Sequence, residues 1–322
     1  MRRMLIVIDR IELKYFEFNQ LVTNFWMVKG LLENNIETYI TTIDLLSLKQ
    51  GKAYAACFKT YEKNNDIFYN KNRENFCIEC FEKVFFRPDP PVDSDYINAT
   101  YIFDFVDRNK TEIINDTKAI RSFNEKIHAN LFREFMPENI VTGSKEEIEN
   151  FLDIHNEIIL KPLNQCFGAG VMYLKKGDKN TLSIIKNMTN NEKSVVMVQK
   201  YIDSKQSGDK RVILLGGEVI DECIRKLPTK DDFKFNTHSD EYFVKEIITD
   251  EEKNNFKIVA GQLNKMGLPM AGLDVMDGKI IEINITSPCF FIKEINSRFS
   301  IHLENKLNNF MLKTPSYTEL YC

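Results

Sequence analysis

The sequence has no surplus of positive charge. Its 322 residues carry 43 Lys and Arg against 47 Asp and Glu, a formal net charge of −4. Binding to nucleic acid or to an anionic membrane needs a basic face, so neither partner is expected. Long apolar runs are missing as well. The opening MRRMLIVID is far too short for a signal core or a membrane span, and Asp9 closes it. It reads as a buried first strand, and without a targeting segment the expected location is cytoplasmic. A disulfide framework is absent too, because the seven cysteines are odd in number and scattered. Cys77 and Cys80 have CxxC spacing, but no second pair and no His pair follows. Ordinary reduced thiols are therefore expected there, ahead of a zinc or redox role. Internal repeats and low-complexity linkers are also lacking. What is present is the balance of a soluble globular protein, 43% hydrophobic and 28% charged, long enough for two or three packed subdomains.

The first part reads β-α-β. Residues 4–8 are an apolar strand, 19–33 carry Leu21, Phe25, Val28, Leu31 and Leu32 at helical spacing, and 37–43 form a second strand. A short strand at 83–86 runs into Arg87-Pro88-Asp89-Pro90-Pro91, where three prolines forbid regular structure. Strand ends of open α/β sheets are where ligands bind. Residues 97–109 look helical, and 112–115 start another strand unit. Near 122 the character changes. An amphipathic helix is expected at 124–135, a strand at 140–142, a helix at 144–155 opened by a Ser-x-x-Glu capping box, and a strand at 157–161. Further strands are expected at 171–175, 195–199 and 212–215, and a final helix from about 292. The expected units are 1–122, 123–202 and 203–322.

The most informative stretch is AGLDVMDGKIIEINITSP, residues 271–288. Asp274 ends one apolar run, and Asp277-Gly278 supplies a hairpin turn. Glu282 and Asn284 follow on one face of the returning strand, because alternate strand residues share a face. Two carboxylates and an amide oxygen converge, a hard donor set that suits Mg²⁺ sharing its shell with phosphates. Taken alone, an ordinary hairpin with a wet polar face explains the stretch as well. IILKPLNQCFGAG, residues 158–170, puts Lys161 at a strand end before Gly168 and Gly170, whose backbone can approach phosphate oxygens. It is not a Walker A motif. Lys126 opens the preceding segment. Gln199, Lys200, Tyr201 and Ile202 form a hinge that offers backbone groups to an adenine edge. GDKRV, residues 208–212, sets Asp209 and Arg211 at the entrance of an apolar strand.

In order and spacing, these pieces resemble the ATP-grasp ligases. More closely, RPDPPVDSDYINATYI, NEK, IILKPL, GDKRV, GLDV and EINITSP resemble segments of the bacterial glutathione synthetase family, over roughly residues 4–300. The resemblance implies an α/β fold of α+β subdomains, ATP-grasp with an N-terminal Rossmann-like domain. ATP would lie between two subdomains, with adenine at 199–202. Its phosphates would meet Lys126, Lys161, Gly168 and Gly170, and Asp209 would stand in the same nucleotide set. Asp274, Glu282 and Asn284 would hold two Mg²⁺, with Mn²⁺ able to substitute. A carboxylate would attack the γ-phosphate, and an amine would displace phosphate from the acylphosphate. Arg211, Lys226, Lys234 and Asn236 form the implied catalytic set, and Arg87, Asp89, Ser287 and Lys293 the implied substrate set. The implied partners are a dipeptide acid, an amino-acid amine and ATP, and the family resemblance adds a homo-oligomer.

The chain departs from the family away from the nucleotide. Lys234 stands where a lid arginine is expected and Asn236 is kept, but the lid glycines are gone from TKDDFKFNTHSDEYF. Lys226 replaces another arginine beside Arg225. CFFIKE at 289–294 has one extra residue, no glycine, and Lys293 in an arginine's place. Residues 15–20 stand where a Lys-Asp-Ser-Ser element is expected. Lysine does not reproduce arginine's bidentate fork. Two ligase readings follow, a divergent glutathione synthetase or a relative joining another acid and amine. Retention of Asp274, Glu282 and Asn284 weighs against a third, a catalytically silent nucleotide binder. Segment 231–243 is expected to be mobile without substrates, since five charged residues sit there with little apolar periodicity.

Overall fold

The computed structural model describes residues 2–16, 20–64, 66–166, 168–203, 208–227 and 242–313. Three sheets follow one another along the chain. The first is parallel at its centre, where Arg3–Ile8 lies between Glu37–Thr42 and Lys83–Phe86, with Glu112–Ile114 beyond. Parallel sheets are covered on both faces, and the first strand shows why its run is wholly apolar. Leu5 and Val7 enter one core, while Met4, Ile6 and Ile8 enter another. The helix Thr23–Glu33 buries Phe25, Met27, Val28 and Leu31. It packs against the C-terminal helix Leu303–Leu312, and Gly30 permits the approach. A Cβ there would fall 1.7 Å from Asn308 Oδ1.

An antiparallel extension completes this sheet. Lys52–Lys63 and Asp66–Cys77 form a long hairpin on the flank of Glu37–Thr42. Its second strand is largely exposed and polar, so it has little apolar alternation to betray it. Cys77 ends that strand, Cys80 lies in the short turn after it, and both are free thiols.

The second sheet orders Met172–Lys175, Glu157–Lys161, Val196–Lys200 and Asn139–Thr142, all antiparallel. Two helices, Lys145–His155 and Thr181–Met188, cover one face through Ile148, Phe151, Leu152 and Ile185. Strand alternation sends Ile158 and Leu160 to these helices and leaves Ile159 and Lys161 facing a cavity. The helix at 145–155 starts as expected, with Ser144 accepting from the Glu147 amide at 3.3 Å. Only half of the capping box forms, because the Glu147 carboxylate turns to the Thr142 hydroxyl.

The expected helix at 124–135 is not an α-helix. Residues 128–135 form a 3₁₀ segment broken at Phe132. Asn124 explains the start, since its Oδ1 accepts from the amides of Lys126 and Ile127 at 3.1 and 2.9 Å. Such local side-chain bonds compete with helical ones. The helix expected at 97–109 is also shorter, spanning Ser94–Ile102 with a 3₁₀ turn after it.

The third sheet is antiparallel and carries the hairpin of Met270–Met276 and Lys279–Asn284. Asp209–Leu215 pairs with the first of these and with Glu222–Lys226. The helix Asp250–Lys265 backs the sheet, opened by a complete capping box of Thr249 and Glu252. Among the described residues no helix is long and apolar enough to cross a membrane.

Candidate active site

A cavity of about 630 Å³ opens between the second and third sheets and reaches the ends of the first. The hairpin register decides what faces it. Asp274 pairs with Arg211 on one side and Glu282 on the other, and Gly272 pairs with Asn284. A β-bulge after Asp274 re-aims the strand there. Asn284 Nδ2 donates to Asp274 Oδ2 at 3.2 Å, and Arg211 Nε donates to Asp274 Oδ1 at 2.6 Å. Burial opposes ionisation of Asp274, but the Arg211 charge outweighs it and holds the carboxyl below its usual range. Burial opposes the charge of Arg211 as well, yet Asp274 keeps the guanidinium more firmly protonated than usual. Its neighbour Lys210 faces away and pairs with Glu246 and Glu252. Among the described residues no three acidic, His or Cys side chains gather into a metal cage. The set is two carboxylates and an amide, chemistry that fits a hard divalent cation completing its shell with substrate oxygens.

The lysines face this hairpin. Lys126 is buried and donates to Glu282 Oε1 and to the Gln165 carbonyl, each at 2.9 Å. Lys161 donates to Gln199 Oε1 at 2.8 Å and to the Ile281 carbonyl at 3.1 Å. Burial lowers its pKa, with Glu282 opposing. Gln199 Nε2 is buried without a hydrogen-bond partner among the described residues, a donor suited to a ligand. Gly168 lines the cavity, and Gly168 and Gly170 have φ of 68° and 70°. At the hinge, the amides of Lys200 and Tyr201 are engaged by the Glu138 and Glu157 carbonyls. Lys200, Tyr201 and Ile202 line the cavity. Asp209 and Lys226 pair across strands at 2.5 Å, and burial raises Asp209 despite the lysine.

Arg87 and Asp89, from the proline-rich strand end, reach the same cavity. Ser287 lies there too and hydrogen-bonds Asp89, whose pKa burial raises. Lys293 is exposed and is not among the cavity-lining residues. Lys234 and Asn236, with most of segment 231–243, lie outside the described residues. The structure also brings in residues that the sequence did not single out. Glu125, the middle of NEK, accepts from the amides of Ile285 and Thr286 at 2.7 and 3.0 Å and from the Thr286 hydroxyl at 3.1 Å. Glu12 and Asn24 arrive from helices at the far end. The phenylalanines of CFFIKE flank the arginines, with Arg87 5.8 Å from the Phe290 ring centroid and Arg211 5.8 Å from that of Phe291.

Solved structures share the fold. D-cycloserine synthetase matches with a TM-score of 0.65 at 14% identity, covering 95% of this chain and 99% of its own. The ATP-grasp ligase PsnB, solved with a minimal precursor, Mg and ADP, matches with a TM-score of 0.60 at 17% identity, over 95% and 96%. At such identities the likeness concerns the fold, and that fold is ATP-grasp. With its cleft, the chain is an ATP-dependent carboxylate–amine ligase of the kind that uses ATP and a divalent metal ion.

Sequence likeness narrows this further. The ATP-grasp domain of prokaryotic glutathione synthetase matches residues 125–300, and that enzyme's N-terminal domain matches 3–121. Glutathione synthetase of Nostoc sp. is 38% identical over 263 residues, covering 78% of this chain and 81% of the relative. That of Vibrio cholerae is 31% identical over 288 residues, covering 88% and 90%. The chain belongs to the prokaryotic glutathione synthetase family.

Proposed function

We propose that this chain joins γ-glutamylcysteine to glycine with cleavage of ATP, releasing glutathione, ADP and phosphate. The observation that carries the reading is the facing of buried Lys126 and Lys161 against the Asp274–Glu282–Asn284 hairpin, in a chain of this family. Adenine occupies the hinge at 199–202, where Gln199 Nε2 and the backbone around Ile202 present to it. Lys126, Lys161 and the Gly168–Gly170 turn meet the phosphates. Asp274, Glu282 and Asn284 would hold Mg²⁺, which would supply charge compensation for the phosphates when bound. Arg87, Asp89 and Ser287 position the acid. Its carboxylate attacks the γ-phosphorus, ADP leaves, and the glycine nitrogen then displaces phosphate from the acylphosphate. Arg211, fixed by Asp274 and by the Cys289 carbonyl at 3.0 Å, stabilises the charge that develops on the acyl oxygens. The work is positioning and electrostatics throughout. Lys226, which pairs with Asp209 in the third sheet, completes the machinery together with Lys234 and Asn236.

The test is phosphate release from ATP and Mg²⁺ with γ-glutamylcysteine, with and without glycine, followed by mass spectrometry. Release that needs both substrates and yields the tripeptide supports the reading. Release only with another acid or amine, at an intact nucleotide site, replaces it with the relative of altered substrate.

A further inference from the structure

Away from the nucleotide, the cavity ends in a buried polar chain. Asn24 Nδ2 donates to Glu12 Oε2 at 2.9 Å, Arg87 Nε donates to Asn24 Oδ1 at 2.6 Å, and Arg87 Nη2 donates to the Pro288 carbonyl at 2.8 Å. All three side chains line the cavity, with exposures of 7% for Glu12 and 2% for Asn24 and Arg87. Two polar atoms of this chain are left without a hydrogen-bond partner among the described residues, Glu12 Oε1 and Arg87 Nη1. One is an acceptor on a carboxyl group and the other a donor on a guanidinium. Leaving such groups buried and unpaired is costly, so each is suited to a partner that the ligand brings. The two together complement a zwitterion, with an ammonium for Glu12 and a carboxylate for Arg87. Asn24 bridges them and fixes both geometries.

We propose that Glu12 and Arg87 recognise the α-amino acid head of the carboxylate donor, Glu12 Oε1 accepting from its α-ammonium and Arg87 Nη1 donating to its α-carboxylate. This rests on the γ-glutamylcysteine reading and adds to it the residue that reads the amino group. Glu12 sits in the short helix Arg10–Tyr15, and Asp9 orients that helix by accepting from the Ile11 amide at 2.6 Å. It is a specificity residue that contacts the non-reacting end of the donor, remote from phosphoryl transfer.

The experiment compares γ-glutamylcysteine with glutarylcysteine, which lacks only the α-amino group, in the wild-type enzyme and in Glu12→Gln. The wild type is expected to prefer the amino compound about 10- to 100-fold in kcat/KM, the range of a buried charged hydrogen bond. Glu12→Gln is expected to bring that ratio to within about threefold, mainly by raising KM for γ-glutamylcysteine. A merely structural Glu12 would change both substrates alike and leave the ratio intact, and that result overturns the assignment. Should the variant fail to fold, the wild-type ratio decides alone, since a ratio near one rejects recognition of the amino group. Wild-type enzyme that turns over neither compound in the presence of ATP, Mg²⁺ and glycine rejects the substrate reading itself, and the assignment falls with it. As a companion, Arg87→Lys is expected to narrow the preference for γ-glutamylcysteine over 4-aminobutanoylcysteine, which lacks the α-carboxylate.

Discussion

At the scale of single residues, Asp274 carries two duties. It is one of three oxygen donors on the hairpin and the counter-charge of buried Arg211. Asp274→Asn keeps the shape and removes the charge. Activity is expected to fall at least about 100-fold, as for loss of one preorganised electrostatic group. Stability is expected to fall as well, because an uncompensated buried arginine is costly. Unchanged phosphate release would sink the ligase mechanism described above. Glu12 predicts a pH dependence. Burial raises its pKa from 4.5 to about 8, Asn24 and Arg87 oppose the rise, and Asp89 and Asp9 reinforce it. Between those values the folded state keeps a proton that the unfolded chain has lost, so this group's contribution to stability declines as pH rises through the window. Glu12→Gln does not titrate. Its melting temperature relative to the ligand-free wild type is expected to climb from pH 5 to pH 8, and a flat difference would contradict the raised pKa. The same neutral acid ionises readily when a ligand ammonium arrives, which joins the stability cost to recognition.

At the scale of elements, the turn after Lys161 depends on backbone shape. Gly170 has φ of +70°, and a Cβ there would lie 2.9 Å from Pro162 Cγ. Gly170→Ala is expected to raise KM for ATP several-fold and to cost about 1–2 kcal/mol of stability, from left-handed strain and the proline contact together. ATP titration and thermal unfolding measure the two parts separately, and a variant normal in both would remove the turn from the phosphate site. Cys289-Phe290-Phe291, in the segment with one extra residue, shows the opposite solution. Phe291 adopts a left-handed φ of 48° without being glycine, and its ring packs on Phe243 at a centroid distance of 5.5 Å. Phe290 is tied down by its amide, which donates to the Thr23 hydroxyl at 2.8 Å. Aromatic packing here holds a conformation that glycine would adopt freely.

At the scale of the molecule, one buried side chain ties the first sheet to the third. Asn115 Nδ2 donates to the carbonyls of Met270 and Ile285, each at 2.7 Å, and its Oδ1 accepts from the Met270 amide at 2.9 Å. Met270 begins the hairpin strand and Ile285 follows it, so this residue sets the site's hairpin against the first sheet. Asn115→Ala strands three buried backbone groups and is expected to cost at least about 2 kcal/mol, with a loss of kcat beyond what stability explains. Denaturant unfolding and kinetics at low temperature check both, and a variant with a normal midpoint would show that the sheets need no such latch.

The sequence by itself determined the elements whose chemistry is local. The hairpin of Asp274, Glu282 and Asn284 follows from a period of two and an Asp-Gly turn, and Lys161, Gln199 and Arg211 follow from strand ends beside runs of apolar residues. It left the hairpin at 52–77 unread, because the alternating buried residues of its first strand are small (Ala53, Ala55 and Cys57) and its second strand is largely exposed, and it drew a helix at 124–135 that the side chain of Asn124 diverts. Tertiary structure alone decided which strand ends meet. Glu12, Asn24 and Arg87 come from two helices and a strand end and share no motif, and only the packing of those helices at the end of the first sheet makes them one buried chain, which the Pro288 carbonyl then closes from the third sheet's side. Burial then does what sequence spacing cannot, turning ordinary side chains into unpaired groups beside a cavity, where an acceptor and a donor call for a ligand.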